Sequence, residues 1–293
     1  MSTENHEFTT VGVLGLGTMG AGITQVFAAS GRDVVVLEAD QDRIDAGLAS
    51  ISAFLDTGVA KGKLSETDKS GLLARITATT DVTDLADVDL VVESVTENAA
   101  VKKDLLGRVA AVVGANTPIC TNTSALSVTE LAAALPNPSR VAGLHFFNPA
   151  PLQRTVEVVR ALQTGEELVD RLVALVDTLG NKDPIVVKDR PGFLLNALLL
   201  PYLNDVISEY DDGLATAEDI DLALKLGLGY KSGPLELLDM IGLDVQLHAT
   251  EAAYAATADP RYAPPPLLQQ MVAAGRLGNK TNNGFRTTDS ENS

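Results

Sequence analysis

The segment HFFNPAPLQRTVEVV, residues 145–159, places a histidine, an asparagine and a glutamate within two strand-forming runs. The first run ends in His145-Phe146-Phe147-Asn148-Pro149, and the second, Thr155 to Val159, carries Glu157. The turn-forming Asn-Pro-Ala-Pro between them predicts side-by-side strands with Glu157 near His145. An imidazole titrates near neutrality and suits transfer of a hydroxyl proton. A carboxylate on one ring nitrogen fixes the tautomer and favours the protonated form. The pair reads as a general base with its orienting acid. A polar hairpin with an edge-strand glutamate facing water is the plainer alternative. Of the three histidines, His6 belongs to a polar terminal tail and His248 to a helix far from any glycine turn. His145 is at the C-terminal end of a strand, the edge where open α/β sheets place ligands.

Proton removal from a hydroxyl is useful beside a hydride acceptor, and the N-terminal sequence offers a site for one. Gly15-Leu16-Gly17-Thr18-Met19-Gly20 follows the apolar strand Val11 to Leu14 and opens a helix that stops at Gly31. Gly15 permits the tight turn, Gly17 allows a pyrophosphate to approach, and Gly20 lets helix and strand pack closely. The start of the helix, with Thr18 and Met19, offers N–H groups and positive dipole to phosphates. The next strand, Val34 to Leu37, ends at Glu38, whose carboxylate can accept both adenosine-ribose hydroxyls and would repel a 2′-phosphate. NAD is therefore expected rather than NADP, although Arg43 nearby keeps NADP open. A glycine turn with no cofactor is the alternative.

These parts need a scaffold. Helical stretches over 42–60 and 66–74, joined by Lys61-Gly62-Lys63, form a helical excursion from the sheet. Strands are expected at 89–92, 118–121, 141–147, 155–159 and 184–187, with helices over 99–113 and 165–179. Thr164-x-x-Glu167 has the capping-box pattern. After Asp189 no strand pattern remains, and three or four helices start near Phe193, Ala217, Leu235 and Pro266; Thr216-x-x-Asp219 caps the second. The expected fold is α/β, a Rossmann-type doubly wound sheet with a helical excursion over 1–189, followed by an all-α domain over 190–293.

Composition sets outer bounds. Hydrophobic residues make up 45% and charged residues 21%, and the net charge of −17 argues against a nucleic-acid partner. A lone cysteine, Cys120, makes no intrachain disulfide and reads as a small buried hydrophobe; with three histidines it argues against a structural zinc site. Met1 to Glu7 shows no signal or transit peptide, and the longest apolar stretch, Phe193 to Leu203, is broken by Asn196 and falls short of the ~20 residues that span a bilayer. The expectation is a cytoplasmic protein without a membrane partner.

Several segments together resemble one family. GLGTMGAGI (15–23), DLVVESVTEN (89–98), TNTSAL (121–126), HFFNPAP (145–151), PGFLLNALLLPYL (191–203) and SGPLELLDMIGLD (232–244) occur in order. The series resembles the short-chain L-3-hydroxyacyl-CoA dehydrogenases, including bacterial 3-hydroxybutyryl-CoA dehydrogenases, over 11–285. The resemblance implies NAD-dependent oxidation of (S)-3-hydroxyacyl-CoA, and the reverse reduction, in fatty-acid or butanoate metabolism. It implies His145 as general base, Glu157 as its acidic partner, Ser124 as the hydroxyl bonding the reacting oxygen, and Asn196 as a second polar group at the substrate. It places Asn148 by the nicotinamide, sets Glu97, Lys102 and Lys280 in contact with NAD, and assigns Lys61 to coenzyme A. A homodimer is implied as well. The chain departs from the pattern at Thr57, where lysine is frequent, at Lys231-Ser232, where proline and methionine are usual, and at Arg286, where an aromatic residue is common. These departures leave the acyl preference open. Lys231 facing the acyl pocket would suit a dicarboxylic acyl-CoA such as 3-hydroxyadipyl-CoA, whereas a lysine in solvent would carry no such preference. A dehydrogenase for another hydroxy acid and a non-enzymatic NAD-binding protein share the scaffold, and 293 residues leave no room for a fused hydratase domain.

Overall fold

The computed structural model describes residues 8–286, so the sequence readings on His6, on Met1 to Glu7 and on the Thr287–Ser293 tail lie outside the described residues. Two compact units meet at Phe193 and Leu194; the sequence reading places the division at 189/190.

The first unit is an eight-stranded sheet. Its strands are β1 (Thr10–Leu14), β2 (Asp33–Leu37), β3 (Ile76–Thr79), β4 (Leu90–Glu93), β5 (Ile119–Thr121), β6 (Val141–Phe146), β7 (Thr155–Arg160) and β8 (Asp183–Lys188). They lie in the order β3-β2-β1-β4-β5-β6-β7-β8. Every pair is parallel except β6 with β7. Chain order reverses between β1 and β4, the switch point at which doubly wound sheets bind ligands beyond the strand C-termini. The strands are apolar on both faces, as parallel strands covered by helices must be. Val11 and Val13 enter one buried cluster with Ile23 and Phe27, while Leu14 and Val91 enter another with Leu106 and Val109.

The covering helices are α1 (Thr18–Ala29), α2 (Gln41–Ala60), α3 (Glu66–Leu73), α4 (Ala99–Ala110), α5 (Val128–Ala133) and α6 (Glu166–Asp177). Asp40 caps α2, Ser65 caps α3 and Asn98 caps α4, each accepting backbone N–H groups of the first turn. Gly31 follows α1 at φ 88°, a left-handed position that glycine adopts without strain. Two sequence expectations are corrected. Thr164 does not cap α6, because its hydroxyl donates to the Val141 carbonyl at 2.6 Å and Gly165 occupies the cap position. The helix expected to reach Val113 ends at Ala110. The strand β3 was not anticipated: four residues with no fully buried member carry little hydrophobic signal.

The second unit contains α7 (Leu195–Asp211), α8 (Ala217–Leu228), α9 (Pro234–Ile241), α10 (Leu243–Thr257) and α11 (Pro266–Ala273). Thr216 caps α8 through the Asp219 N–H. Gly242, at φ 104°, breaks what the sequence presents as one helix into α9 and α10. A buried polar set joins α7 to α10: the Asn204 amide donates to Thr250 Oγ1 at 2.7 Å and accepts from Gln246 at 3.0 Å.

Candidate active site

Local backbone geometry explains two of the three glycines in the first turn. Gly15 has φ 91°, and a side chain there would meet the Ser94 carbonyl oxygen at 2.9 Å. A Cβ on Gly20 would overlap the Gly15 carbonyl, so α1 can approach the turn only without one. Gly17 differs: its φ of −67° suits any residue, and a Cβ would meet no atom within 4 Å. The fold therefore places no demand for glycine at position 17, whereas a ligand lying against the backbone does. Gly17 is also the N-cap of α1 and supplies no side-chain cap, and Thr18 beside it is exposed. Glu38, one residue past β2, accepts from Leu16 N at 2.8 Å on Oε1 and from Ala39 N at 2.7 Å on Oε2. The carboxylate thus borders the glycine turn with acceptor capacity left on each oxygen. An uncapped helix start, an open glycine and an adjacent carboxylate fit a dinucleotide's phosphates and ribose.

His145 and Glu157 are directly opposed in the antiparallel β6–β7 register. Nδ1 of His145 is 2.7 Å from Oε2 of Glu157, and the residues are 5% and 1% exposed. An ionised carboxylate only accepts, so Nδ1 is the donor and Nε2 is left as the acceptor. The rings of Phe147 and Phe193 meet the imidazole edge-on at centroid distances of 4.5 and 5.4 Å, which keeps water from the pair. A hydrogen-bonded, tautomer-fixed imidazole in apolar surroundings is equipped to exchange one proton through Nε2.

The loop after β5 is organised around carboxylates. Glu93, fully buried at the end of β4, accepts from Thr121 Oγ1 at 2.6 Å and from Lys102 Nζ at 2.6 Å. Glu97 accepts from the Thr123 hydroxyl and, at 3.1 Å each, from Ser124 N and Ala125 N. Burial acts to raise the Glu97 carboxyl, but the Thr123 hydroxyl and the Lys102 charge outweigh it and hold it below the ordinary value of 4.5. Ser124 itself is exposed. Lys102 is 1% exposed, and its ammonium is shared among Glu93, Glu97 and the Val95 carbonyl.

Two positioning residues escaped the sequence reading. Asn122 accepts from Phe146 N at 2.7 Å, continuing a β5–β6 ladder whose register ends at Thr121 and Gly143. It thereby fixes the loop carrying Ser124 against the residue next to His145. The TNTSAL segment contained the signal, a carbonyl side chain at a strand end. Lys182, 7% exposed, donates to the Ala150 and Gln153 carbonyls at 2.6 Å each and pins the turn after Asn148. Burial draws its ammonium below the ordinary 10.5. Asn148 is exposed and joins Thr18, Gln25, Ser50 and Phe54 around a small pocket of about 110 Å³.

The remaining expected residues are on other surfaces. Lys61 and Lys63 are exposed after α2, and Thr57 donates to the Ala53 carbonyl at 3.1 Å. Within the second unit, Asn196 is the second residue of α7 and half-buried. Lys280 is paired with Asp244, which takes its ammonium within that unit. Lys231 is exposed in the loop between α8 and α9. Arg286 reaches Asp221 at 2.7 Å and Glu218 at 3.3 Å. Among the described residues no group of His, Cys, Asp and Glu is arranged to hold a metal, and no helix is long and apolar enough to cross a membrane. Cys120 is fully buried, which pushes its thiol up to about 12.

Comparison with known proteins accords with this geometry. Residues 10–190 match the family "3-hydroxyacyl-CoA dehydrogenase, NAD binding domain" and residues 192–288 its C-terminal domain. The chain is 41% identical over 273 residues to 3-hydroxybutyryl-CoA dehydrogenase of Clostridioides difficile, covering 93% of this chain and 97% of the relative. It is also 41% identical to 3-hydroxyadipyl-CoA dehydrogenase of Escherichia coli, of which it covers 58%. The crystal structure of (S)-3-hydroxybutyryl-CoA dehydrogenase from Ralstonia eutropha superposes with a TM-score of 0.90 at 43% identity, over 95% of this chain and 98% of that one. With both family domains matched in order over nearly its whole length, this chain belongs to the NAD-dependent 3-hydroxyacyl-CoA dehydrogenases.

Proposed function

We propose that the chain oxidises (S)-3-hydroxybutyryl-CoA to the 3-oxoacyl-CoA, and runs the reverse reduction, with His145 as the proton-transferring group. The buried 2.7 Å bond between His145 Nδ1 and Glu157 Oε2 carries the proposal. Bound NAD supplies hydride acceptance. In oxidation, Nε2 of His145 takes the 3-hydroxyl proton as the C3 hydride departs. Glu157 holds the ring and offsets the positive charge that the imidazole gains. Ser124 donates to the reacting oxygen, and Asn196 joins it on the strength of its motif. In reduction, protonated His145 returns the proton to the 3-oxo oxygen.

Glu38 holds the adenosine ribose and disfavours NADP, while Gly15, Gly17, Thr18, Met19 and Gly20 receive the diphosphate. Asn148 flanks the nicotinamide. Lys280 contributes to the cofactor site by family resemblance, as does Lys61 to coenzyme A. The four-carbon acyl group rests on the Clostridioides and Ralstonia relatives. Equal identity to the adipyl-acting relative means that overall similarity does not separate the two acyl classes. A panel of 3-oxoacyl-CoA thioesters, followed by NADH oxidation with NADPH as control, decides the matter. Fastest turnover with 3-oxobutyryl-CoA is expected, and preference for 3-oxoadipyl-CoA would overturn the assignment.

The second unit exposes Leu198, Leu214, Leu222 and Leu226 at 68, 70, 53 and 78%. Leu222 and Leu226 are one helical turn apart on α8, an apolar surface suited to pairing with a second copy. A homodimer is the proposed assembly, and light scattering measures it. A lone buried cysteine accords with a cytoplasmic setting, and a role in fatty-acid or butanoate metabolism rests on the family resemblance.

A further inference from the structure

We propose that Phe193 is a positioning residue for His145: its ring, carried on a left-handed backbone, fixes the tilt of the imidazole and so the direction of Nε2. This rests on the reading of His145 as the proton-transferring group. It gives the turn from Arg190 to Phe193 a task in the same reaction.

The bond to Glu157 holds one ring nitrogen and leaves the rest of the ring loosely set. A hydrogen bond tolerates a range of angles, and the torsion that turns an imidazole on its Cβ is soft. A change of tilt keeps Nδ1 within reach of Glu157 while displacing Nε2, which must meet the substrate hydroxyl. Two aromatic rings close this freedom. Phe147 meets the imidazole at 4.5 Å with 61° between the planes, and Phe193 at 5.4 Å with 65°. Both are edge-on arrangements of the kind that aromatic pairs prefer. Phe147 follows the end of β6 and moves with the segment that carries His145. Phe193 arrives from beyond β8 and gives the imidazole a reference outside that segment.

The backbone at Phe193 works against its side chain. Phe193 has φ 48°, directly after Gly192 at φ 75°. Glycine occupies this region freely, whereas a bulky residue enters it at a cost in energy. A turn with no other task would be relieved by glycine at 193, as it is at 192. The ring is nonetheless there, 3% exposed, packed with Val128, Val159, Ala161 and Val187 as well as against His145. Strain of this kind persists where the surroundings over-determine it, and it gathers at active sites. Asp189 supplies the hold. Its N–H donates to the Arg160 carbonyl at 2.9 Å, and its Oδ2 receives the Ser127 hydroxyl at 2.9 Å and the Thr129 N–H at 2.7 Å. Phe193 N then closes the turn on the Arg190 carbonyl at 2.9 Å. Arg160 ends β7, the strand that carries Glu157. The carboxylate on Nδ1 and the ring that sets the tilt are therefore both registered on β7.

Phe193→Leu tests the proposal, alone and combined with His145→Ala. Leucine keeps apolar volume among Val128, Val159, Ala161 and Val187 but lacks the ring. Its kcat with NADH and 3-oxobutyryl-CoA is expected to fall roughly tenfold, the scale of a small misplacement of a catalytic group. KM for the thioester, and NADH affinity read by fluorescence titration, are expected to stay within about twofold. In the His145→Ala background the same substitution is expected to change kcat by less than about twofold, because the ring acts only through the imidazole. Unchanged kcat in Phe193→Leu would overturn the proposal, as would losses that multiply in the double variant or NADH affinity falling in step with kcat. A melting temperature more than about 10 °C below the parent would overturn it too, since the ring would then be a requirement of the fold. Full activity in His145→Ala would overturn it at its base by removing His145 from the reaction. Failure at Phe193→Leu alone leaves the His145 reading intact.

Discussion

His145 and Glu157 face one another across the β6–β7 pair, the one antiparallel step in the first unit's sheet, with Nδ1 2.7 Å from Oε2. Opposed positions in a strand pair are as close as two side chains from different strands can be. The pairing therefore follows from register, and the sheet itself holds the histidine and its acid in line.

That relationship predicts the behaviour of Glu157→Gln. The amide oxygen can still accept from Nδ1, so the fold persists, but the charge that favours imidazolium is gone. In the oxidation direction kcat is expected to fall roughly 10- to 100-fold. Steady-state rates in the oxidation direction, beside a circular dichroism spectrum of the variant, check both.

The glycine turn separates fold from ligand. Gly20→Ala forces a Cβ into the Gly15 carbonyl and is expected to lower Tm sharply. Gly17→Ala meets no protein atom within 4 Å and is expected to leave Tm unchanged. Its methyl group is expected to weaken NADH binding by about tenfold, the equivalent of ~1.4 kcal/mol. Thermal melts and NADH titration of the two variants distinguish these outcomes.

Asn122→Ala removes the acceptor of Phe146 N. Leaving that part-buried N–H unsatisfied is expected to cost about 1–3 kcal/mol in denaturant unfolding. Activity is expected to fall by more than the change in stability accounts for, since the same bond aligns the Ser124 loop with the His145 strand.

Glu97 carries a pH signature. Its folded pKa lies below 4.5, so it binds fewer protons folded than unfolded in the window beneath that value. Its stabilisation is whole above 4.5 and is lost as pH falls through the lower folded value. Acid unfolding of Glu97→Gln is expected to show a shallower loss of stability across that window than the parent. At 39% exposure the side chain is partly screened, so the difference is modest and best read at low salt.

The sequence was most legible where one residue's chemistry and a regular period coincide. His145 and Glu157 lie on strand-forming runs joined by a proline-rich turn, and period two together with the turn places them side by side. The GxGxxG turn and Glu38 are read with equal ease, because backbone geometry dictates glycine at positions 15 and 20 and Glu38 follows directly on the next strand. Lys102 was not legible, since its burial depends on a side chain folding back from α4 to β4, a choice with no local pattern. Thr164 misled for a similar reason: a carbonyl of β6, distant in sequence, competed successfully for its hydroxyl. Gly242 divides α9 from α10 through one left-handed residue inside an apolar pattern that otherwise continues.

If His145 moves the proton, His145→Ala assayed with NADH and 3-oxobutyryl-CoA loses turnover while still binding the cofactor. A fall in kcat of ~10²- to 10⁴-fold is expected, with NADH affinity within about twofold of the parent. Turnover within about tenfold of the parent, or NADH affinity lost in parallel with kcat, would contradict it.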